Sequence, residues 1–465
     1  VLWAAGTCST GDISGCGAPG GDGASARGGA GGVGNGQGGG SSTVDTNGVT
    51  VPVPGAWGAQ GTGGTGASGD GVPASAGAPA LILVSDNITI NMSMSGLDGS
   101  AGTSGTNFAT GGNGGNAGLF YSGSNIFVSA ALTGGAGGQG GSALGGVGNG
   151  GGGGGGGAGM MSVAGMASIN NSGAITTRGT GSSAIDALTE GGAVSVNNSA
   201  TLQGGRADSS GVTLGGATQT LNNSGVIGAL SDTAVRADAT TPGTNFTLNN
   251  TGQMTGSVSA VSATTTFANS GTWILRSFTD STGSGTRDTW GVATSNLGSA
   301  GNNSIENSGV IRLAAQPATG IVTFNASGAY LPLGQAANTP MPGGAVQGQI
   351  LGVNRFTNGG TLDLAAGSNT VGNVLLISGA TTAGTNGGGM FVSNGGSLLL
   401  NTTLNGGGVN SRSDMLVVDS TTTGSGGATG VAVHNVGGLG ELTEGNGIAV
   451  VELLNKSDAA SDPNA

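Results

Sequence analysis

Apolar residues return along this chain in one frame. Around Asn171 an apolar side chain stands two positions earlier (Ile169) and another four later (Ile175), with Ser172-Gly173 between them. The same frame surrounds Asn198 (Val196, Leu202), Asn223 (Leu221, Ile227), Asn250 (Leu248, Met254) and Asn269 (Phe267, Trp273). It recurs at Asn307 (Ile305, Ile311), Asn358 (Phe356, Leu362), Asn394 (Val392, Leu398) and, more loosely, Asn435 (Val433, Leu439). Extended residues alternate sides, so each copy predicts a strand, a tight bend and a second strand, with both apolar side chains turned inward. Asn bonds to nearby main chain at the bend, and Gly supplies left-handed backbone there. A fixed frame at a repeating interval marks a repeat architecture. The intervals between these Asn residues run from 19 to 51 residues. The shorter ones suit one coil of a parallel β-solenoid, and the longer ones suit two coils or one coil with a surface loop.

Texture divides the chain into four parts. Residues 1–160 are Gly-rich, with short apolar runs followed by Gly at every third position: Ile88-Thr89-Ile90 leads to Gly96, Gly99 and Gly102, and Ile126-Phe127-Val128 to Gly134, Gly137 and Gly140. Two readings stand, solenoid coils with Gly loops or polyproline II segments packed through Gly. Residues 161–384 carry the Asn frame, interrupted by inserts at 277–301 and 329–348. Pro332, Pro340 and Pro342 make the second insert a loop, because Pro cannot donate to a central ladder. Residues 385–455 hold the most continuous β-sequence and are expected to be the most stable part. Residues 456–465 read as a polar linker.

Composition narrows the picture. Among 465 residues, 107 are Gly, 7% are charged and 3% are aromatic, which suits a thin core of stacked aliphatic side chains. The net charge is −12 and the ten basic residues are scattered, so no basic patch exists for nucleic acid or an anionic lipid surface. Cys8 and Cys16 lie close together and suit a local disulfide in an oxidising compartment, with free thiols as the alternative. The start lacks Met and a charged-then-apolar signal, so the chain reads as a mature or excised piece.

Chemistry-bearing constellations are sparse. His434 is the single His, so any Ser-His-Asp triad would have to use it, and its place on an alternating strand reads as a wet structural position. Arg206 with Asp208 and Arg287 with Asp288 are the nearest approaches to a charged cluster, and each reads as an exposed pair of little energetic weight. Asp recurs too rarely in the Gly runs for calcium-binding nonapeptide repeats. No catalytic residue, cofactor or metal is expected. Trp290, Arg287 and Tyr330 lie in or beside the inserts, where contact residues concentrate, and for Trp290 and Tyr330 local packing of the loops is the weightier reading. The frame residues Asn171, Asn198, Asn223, Asn250, Asn269, Asn307, Asn358 and Asn394 read as turn register rather than as ligands.

The run from Leu398 to Asp419, with Ser413 to Asp419 at its end, and the run from Gly430 to Glu452 resemble the C-terminal end of type V autotransporter passenger domains, the pertactin-like family of Gram-negative bacteria. The resemblance implies a right-handed parallel β-helix whose 385–455 block caps the helix and assists folding, ahead of an outer-membrane β-barrel. It implies display at the cell surface, attached or released, and work as an adhesin meeting host-cell or matrix molecules or other bacteria. Two alternatives are a passenger enzyme acting on esters or glycans and a structural Gly-rich extracellular protein.

Overall fold

A computed structural model describes strands at Ser42–Val44, Thr50–Pro52 and Gln60–Gly61, and then most of residues 81–96, 119–136, 158–315 and 344–454. Cys8, Cys16, Asp208 and Tyr330 lie outside the described residues. By its internal contacts the chain forms two compact units. One is Val1–Leu221 with Gly225–Arg236 and Thr279–Arg287, and the other is Asn222–Ser224 with Ala237–Phe278 and Asp288–Ala465. The fold is a right-handed parallel β-helix. No helix occurs among the described residues.

Each coil of the first unit contributes three strands. Met166–Asn171, Ile175–Thr176 and Ile185–Leu188 make one coil, and Ala193–Asn198, Thr201–Gly204 and Val212–Gly215 the next. They pair in parallel and in register, Ile169 opposite Val196, Ile175 opposite Leu202 and Ile185 opposite Val212. The stack runs back into the Gly-rich region, where Ile126 lies opposite both Ile88 and Ile169, and Leu132 opposite both Met94 and Ile175. The described parts of residues 81–163 are therefore solenoid strands. The core is these columns of like side chains, each almost wholly buried, and burial of such columns supplies the main driving force.

Among the described residues six coils of the second unit run from Asn245–Asn250 to the coil of Thr422–Gly427, Gly430–Asn435 and Val451–Leu454. Met254, Trp273, Ile311, Leu362 and Leu398 form one core column. Trp273 is fully buried, tilts against Phe267 at 5.0 Å and donates its Nε1–H to the Gly256 carbonyl at 2.9 Å.

Long and short Asn intervals alike are single coils. Asn269 and Asn307, 38 residues apart, sit in adjacent strands, as do Asn307 and Asn358, 51 residues apart. The extra residues leave between the second and third strands of a coil, so the core columns continue past them without a break.

The tight corner follows the first strand and is held by the Asn. Asn171 Nδ2 donates to the Gly173 carbonyl at 2.8 Å and to Asn198 Oδ1 at 2.9 Å, and its Oδ1 accepts the Gly173 N–H. In the second unit the column runs Asn223, Asn250, Asn269, Asn307 and Asn358, each amide donating to the next at 2.8 Å. All of these Asn side chains are buried. Gly at the corner serves a different purpose from the one expected. Gly173 and Gly309 do not have positive φ; a Cβ there would lie 2.0 Å from the Ala130 carbonyl oxygen and 2.1 Å from that of Gly271. Close stacking of successive corners, not left-handed backbone, demands Gly at these positions.

Two copies of the frame depart from it. Ser393, not Asn394, lies opposite Asn358, and a register shift follows between Ser393 and Asn394. Asn394 is exposed and stands outside the buried column. Asn435 ends a strand that pairs with Ser397–Thr403, on the second face of the coil, and its flanking Val433 and Leu439 are 46% and 82% exposed.

Candidate functional site

Three surfaces hold the candidate functional residues. The first is the outward side of the strands that carry the Asn frame. In the first unit a line of amides joins successive coils there: Asn197 donates to Asn170 at 2.9 Å, Asn170 to Asn125 at 3.3 Å and Asn125 to Asn87 at 3.1 Å. Ser168 and Ser195 lie beside them in register. In the second unit Asn249 donates to Asn222 at 2.8 Å, and Thr247, Thr266 and Ser304 fall in one outward row that continues through Arg355 to Met390. The neighbouring row runs Asn249, Ala268, Glu306 and Thr357. These rows are mostly uncharged hydrogen-bonding groups, repeated at the coil spacing of about 4.8 Å.

The second surface is the insert between Leu275 and Ala293. Trp290 is half-buried, stacks on Phe278 at 4.5 Å and 15°, and packs against the cluster of Ala345, Leu351, Val374, Leu376 and Val417. With Val292, Ala383, Met415 and Leu454 it covers part of the outer side of the third-face strands Gln347–Leu351 and Val374–Ser378, which are buried at every position. Arg287 lies in the first unit. Its Nη2 donates to the Ala229 carbonyl at 2.6 Å and stands 3.4 Å from Asp232 Oδ1, whose side chain is 1% exposed. Arg287 is thus held to Ala229 and Asp232, with Asp232 as an ion-pair partner. Arg206 donates its Nε–H to the Arg178 carbonyl at 3.1 Å.

The third surface is the C-terminal coils. A buried polar knot lies at their centre. Asp414 is fully buried, and its Oδ1 accepts the backbone N–H groups of Gly372 and Asn373 at 3.0 and 2.9 Å. Its Oδ2 accepts the Asn401 N–H at 2.8 Å. Asn401 Nδ2 reaches the Ser368 and Thr370 carbonyls at 2.7 and 2.9 Å, and Asn373 Nδ2 reaches that of Leu364 at 3.0 Å. Two side chains thus fasten the loop between Asp363 and Val374, and one carboxylate joins them. Burial pushes the Asp414 carboxyl up to about 6, against the opposing pull of those N–H donors. His434 approaches the same knot, its Nδ1 being 2.9 Å from Asn401 Oδ1. That contact gives the imidazole an amide neighbour on an exposed strand. Among the described residues no three His, Cys, Asp or Glu side chains gather as a metal site.

The knot was not legible in the sequence, since Asn373, Asn401 and Asp414 belong to three different segments. The strong apolar runs nearby did mark the region. Its coils differ in burial: Leu398, Leu400, Leu416 and Val417 are buried, whereas Val431, Val433, Val451 and Leu453 of the last described coil are 41–52% exposed. No described strand pairs with the far side of that coil.

Residues 378–463 match the family model described as Autochaperone Domain Type 1, a match that takes in the knot residues Asn401, Asp414 and His434. No curated protein and no solved structure matches the chain.

Proposed function

We propose that this chain, an autotransporter passenger closed by a C-terminal autochaperone block, works as a surface adhesin. As a passenger it is secreted or displayed at the outer-membrane surface. The observation that carries the adhesin reading is the outward repetition of amide and hydroxyl groups, Asn125, Asn170 and Asn197 in the first unit and Thr247, Thr266 and Ser304 in the second. Each contact of this kind contributes little, about 1 kcal/mol net. Repeated at a fixed spacing they act together, and binding strength grows through multivalency rather than through one deep pocket. Partners of this chemistry are host-cell or matrix surfaces rich in hydroxyl and amide groups, or the same face of a passenger on another bacterium.

Within the autochaperone block Asp414 and Asn401, together with Asn373, close the 364–373 loop. Beads coated with the purified chain test the adhesin reading. Adherence to host cells or to one another supports it; beads that behave like uncoated ones overturn it.

A further inference from the structure

The outward row of the first unit contains an exposed aromatic ring. Phe127 is 45% exposed and is the one aromatic among the exposed large hydrophobic residues of the described chain. By strand register it lies between Thr89 on one coil and Asn170 on the next, with Asn197 beyond. Its ring therefore sits in a line of hydrogen-bonding side chains, at a position where a solenoid gains nothing from an exposed ring.

The surroundings are held in place from below. The buried Tyr121 hydroxyl donates to the Asn125 carbonyl at 2.6 Å and accepts the Asn125 N–H at 2.9 Å. Burial raises the Tyr121 pKa, so the hydroxyl stays a donor. One coil earlier the Asp86 carboxylate accepts the Ser124 N–H at 2.6 Å, which lowers its pKa and keeps it anionic. Asn87, Asn125, Asn170 and Asn197 are joined head to tail, so each amide's orientation is set by its neighbours.

An apolar ring face beside fixed amides and hydroxyls is complementary to a sugar ring, which presents C–H groups on one face and hydroxyls at its rim. The repeat of about 4.8 Å along the stack is close to the length of one sugar residue in an extended chain. Asp86 is the charged side chain nearest this row in sequence, and it repels polyanions. We propose that Phe127, with Thr89, Asn125, Asn170 and Asn197, binds a linear, uncharged polysaccharide lying along the stack, one sugar seated on the ring. The proposal rests on the adhesin reading and names its ligand class.

Affinity electrophoresis of the full chain tests it, in gels carrying soluble cellulose-, xylan- or mannan-type polymers, with heparin as the polyanion. Retardation by at least one neutral polymer and not by heparin is expected. Phe127→Ala should weaken it about tenfold, the loss of one stacked ring, and Phe127→Tyr should retain it. Because Phe127 is exposed, the Ala variant keeps its β-type circular dichroism. Retardation by none of the neutral polymers, or an unchanged Phe127→Ala variant, overturns the proposal. If parent beads adhere to cells but no neutral polymer is retarded through Phe127, the glycan site fails while the adhesin reading stands. If parent beads do not adhere but the gel shift depends on Phe127, the site stands and the adhesin reading fails.

Discussion

Asp414 and Asn401 hold each other by both ends: the Asp414 N–H donates to the Asn401 carbonyl at 2.8 Å, and the Asn401 N–H donates to Asp414 Oδ2 at 2.8 Å. The pair lies where strand Ser397–Thr403 turns back along Arg412–Ser413, inside the autochaperone block. Its carboxylate carries charge in a buried place, which couples this corner to pH.

The sign follows from the direction of the shift. Burial raises the folded Asp414 carboxyl to about 6, above its unfolded value of roughly 3.9. Between those values the folded state binds more protons, so stability rises as pH falls from about 6 to about 4. Above pH 6 the ionised group costs the fold about 3 kcal/mol, an order-of-magnitude figure. Hydrogen exchange at the Asn373 and Asn401 amides should slow, after correction for intrinsic rates, on going from pH 7 to pH 5. Asp414→Asn should flatten that gain. Equal protection at both pH values in the parent would contradict the assignment.

The buried Asn column makes a positional prediction. Asn269 lies mid-column, and Asn269→Val strands the amide donor of Asn250 and the amide oxygen of Asn307, at roughly 1–3 kcal/mol for each group left unsatisfied. Asn171 stands at an end, with Val128 opposite it on the preceding coil. Asn171→Val should therefore cost less than Asn269→Val. Urea midpoints compare the two, and equal losses would show that the corner bonds matter and the column does not.

Corner glycines should be intolerant for reasons of space. Gly309→Ala brings a Cβ to 2.1 Å from the Gly271 carbonyl oxygen, and the coils must separate locally, costing several kcal/mol by the scale of overpacking, about 1–3 or more. Gly301 has φ of +72° and open space around it, so Gly301→Ala should cost only about 1 kcal/mol. Thermal melts of the two variants separate these cases.

Arg287→Ala should weaken the chain without touching adhesion. It leaves the Asp232 carboxylate, 1% exposed, without this guanidinium, and removing one partner of a buried pair costs about 3–5 kcal/mol, less here because Arg287 is part-exposed. Loss of adherence with unchanged stability would return Arg287 to the contact residues.

How much of this was readable beforehand depended on sequence distance. The frame around Asn171 or Asn307 is local, so alternation and turn chemistry specify the strands, the corner and the inward side together. The chain's resemblance to autotransporter passengers rested on equally local runs at Ser413–Asp419 and Gly430–Glu452. Register between coils is not local. The slip at Ser393 and Asn394 follows from the strand beneath, and Asn435 satisfies the frame while pairing on another face. Gly173 looked like a backbone requirement and is a spatial one, set by Ala130 more than 40 residues earlier. Trp290 read as a loop residue whose local packing outweighed a contact role; it stacks on Phe278 of its own insert, and the cluster beneath it, which comes from other coils, was not visible. The polar knot and the ring of Phe127 beside Asn170 also depend on stacking.

Adherence measured on outward-row variants tests the central claim most directly. Beads carrying the chain with Asn170→Asp, Asn197→Asp and Asn249→Asp together would place charge on the rows of both units while leaving the buried columns intact. Loss of adherence to cells, with unchanged circular dichroism and protease resistance, is the result the adhesin account predicts. Full adherence by that variant would contradict it and move the contact away from these rows.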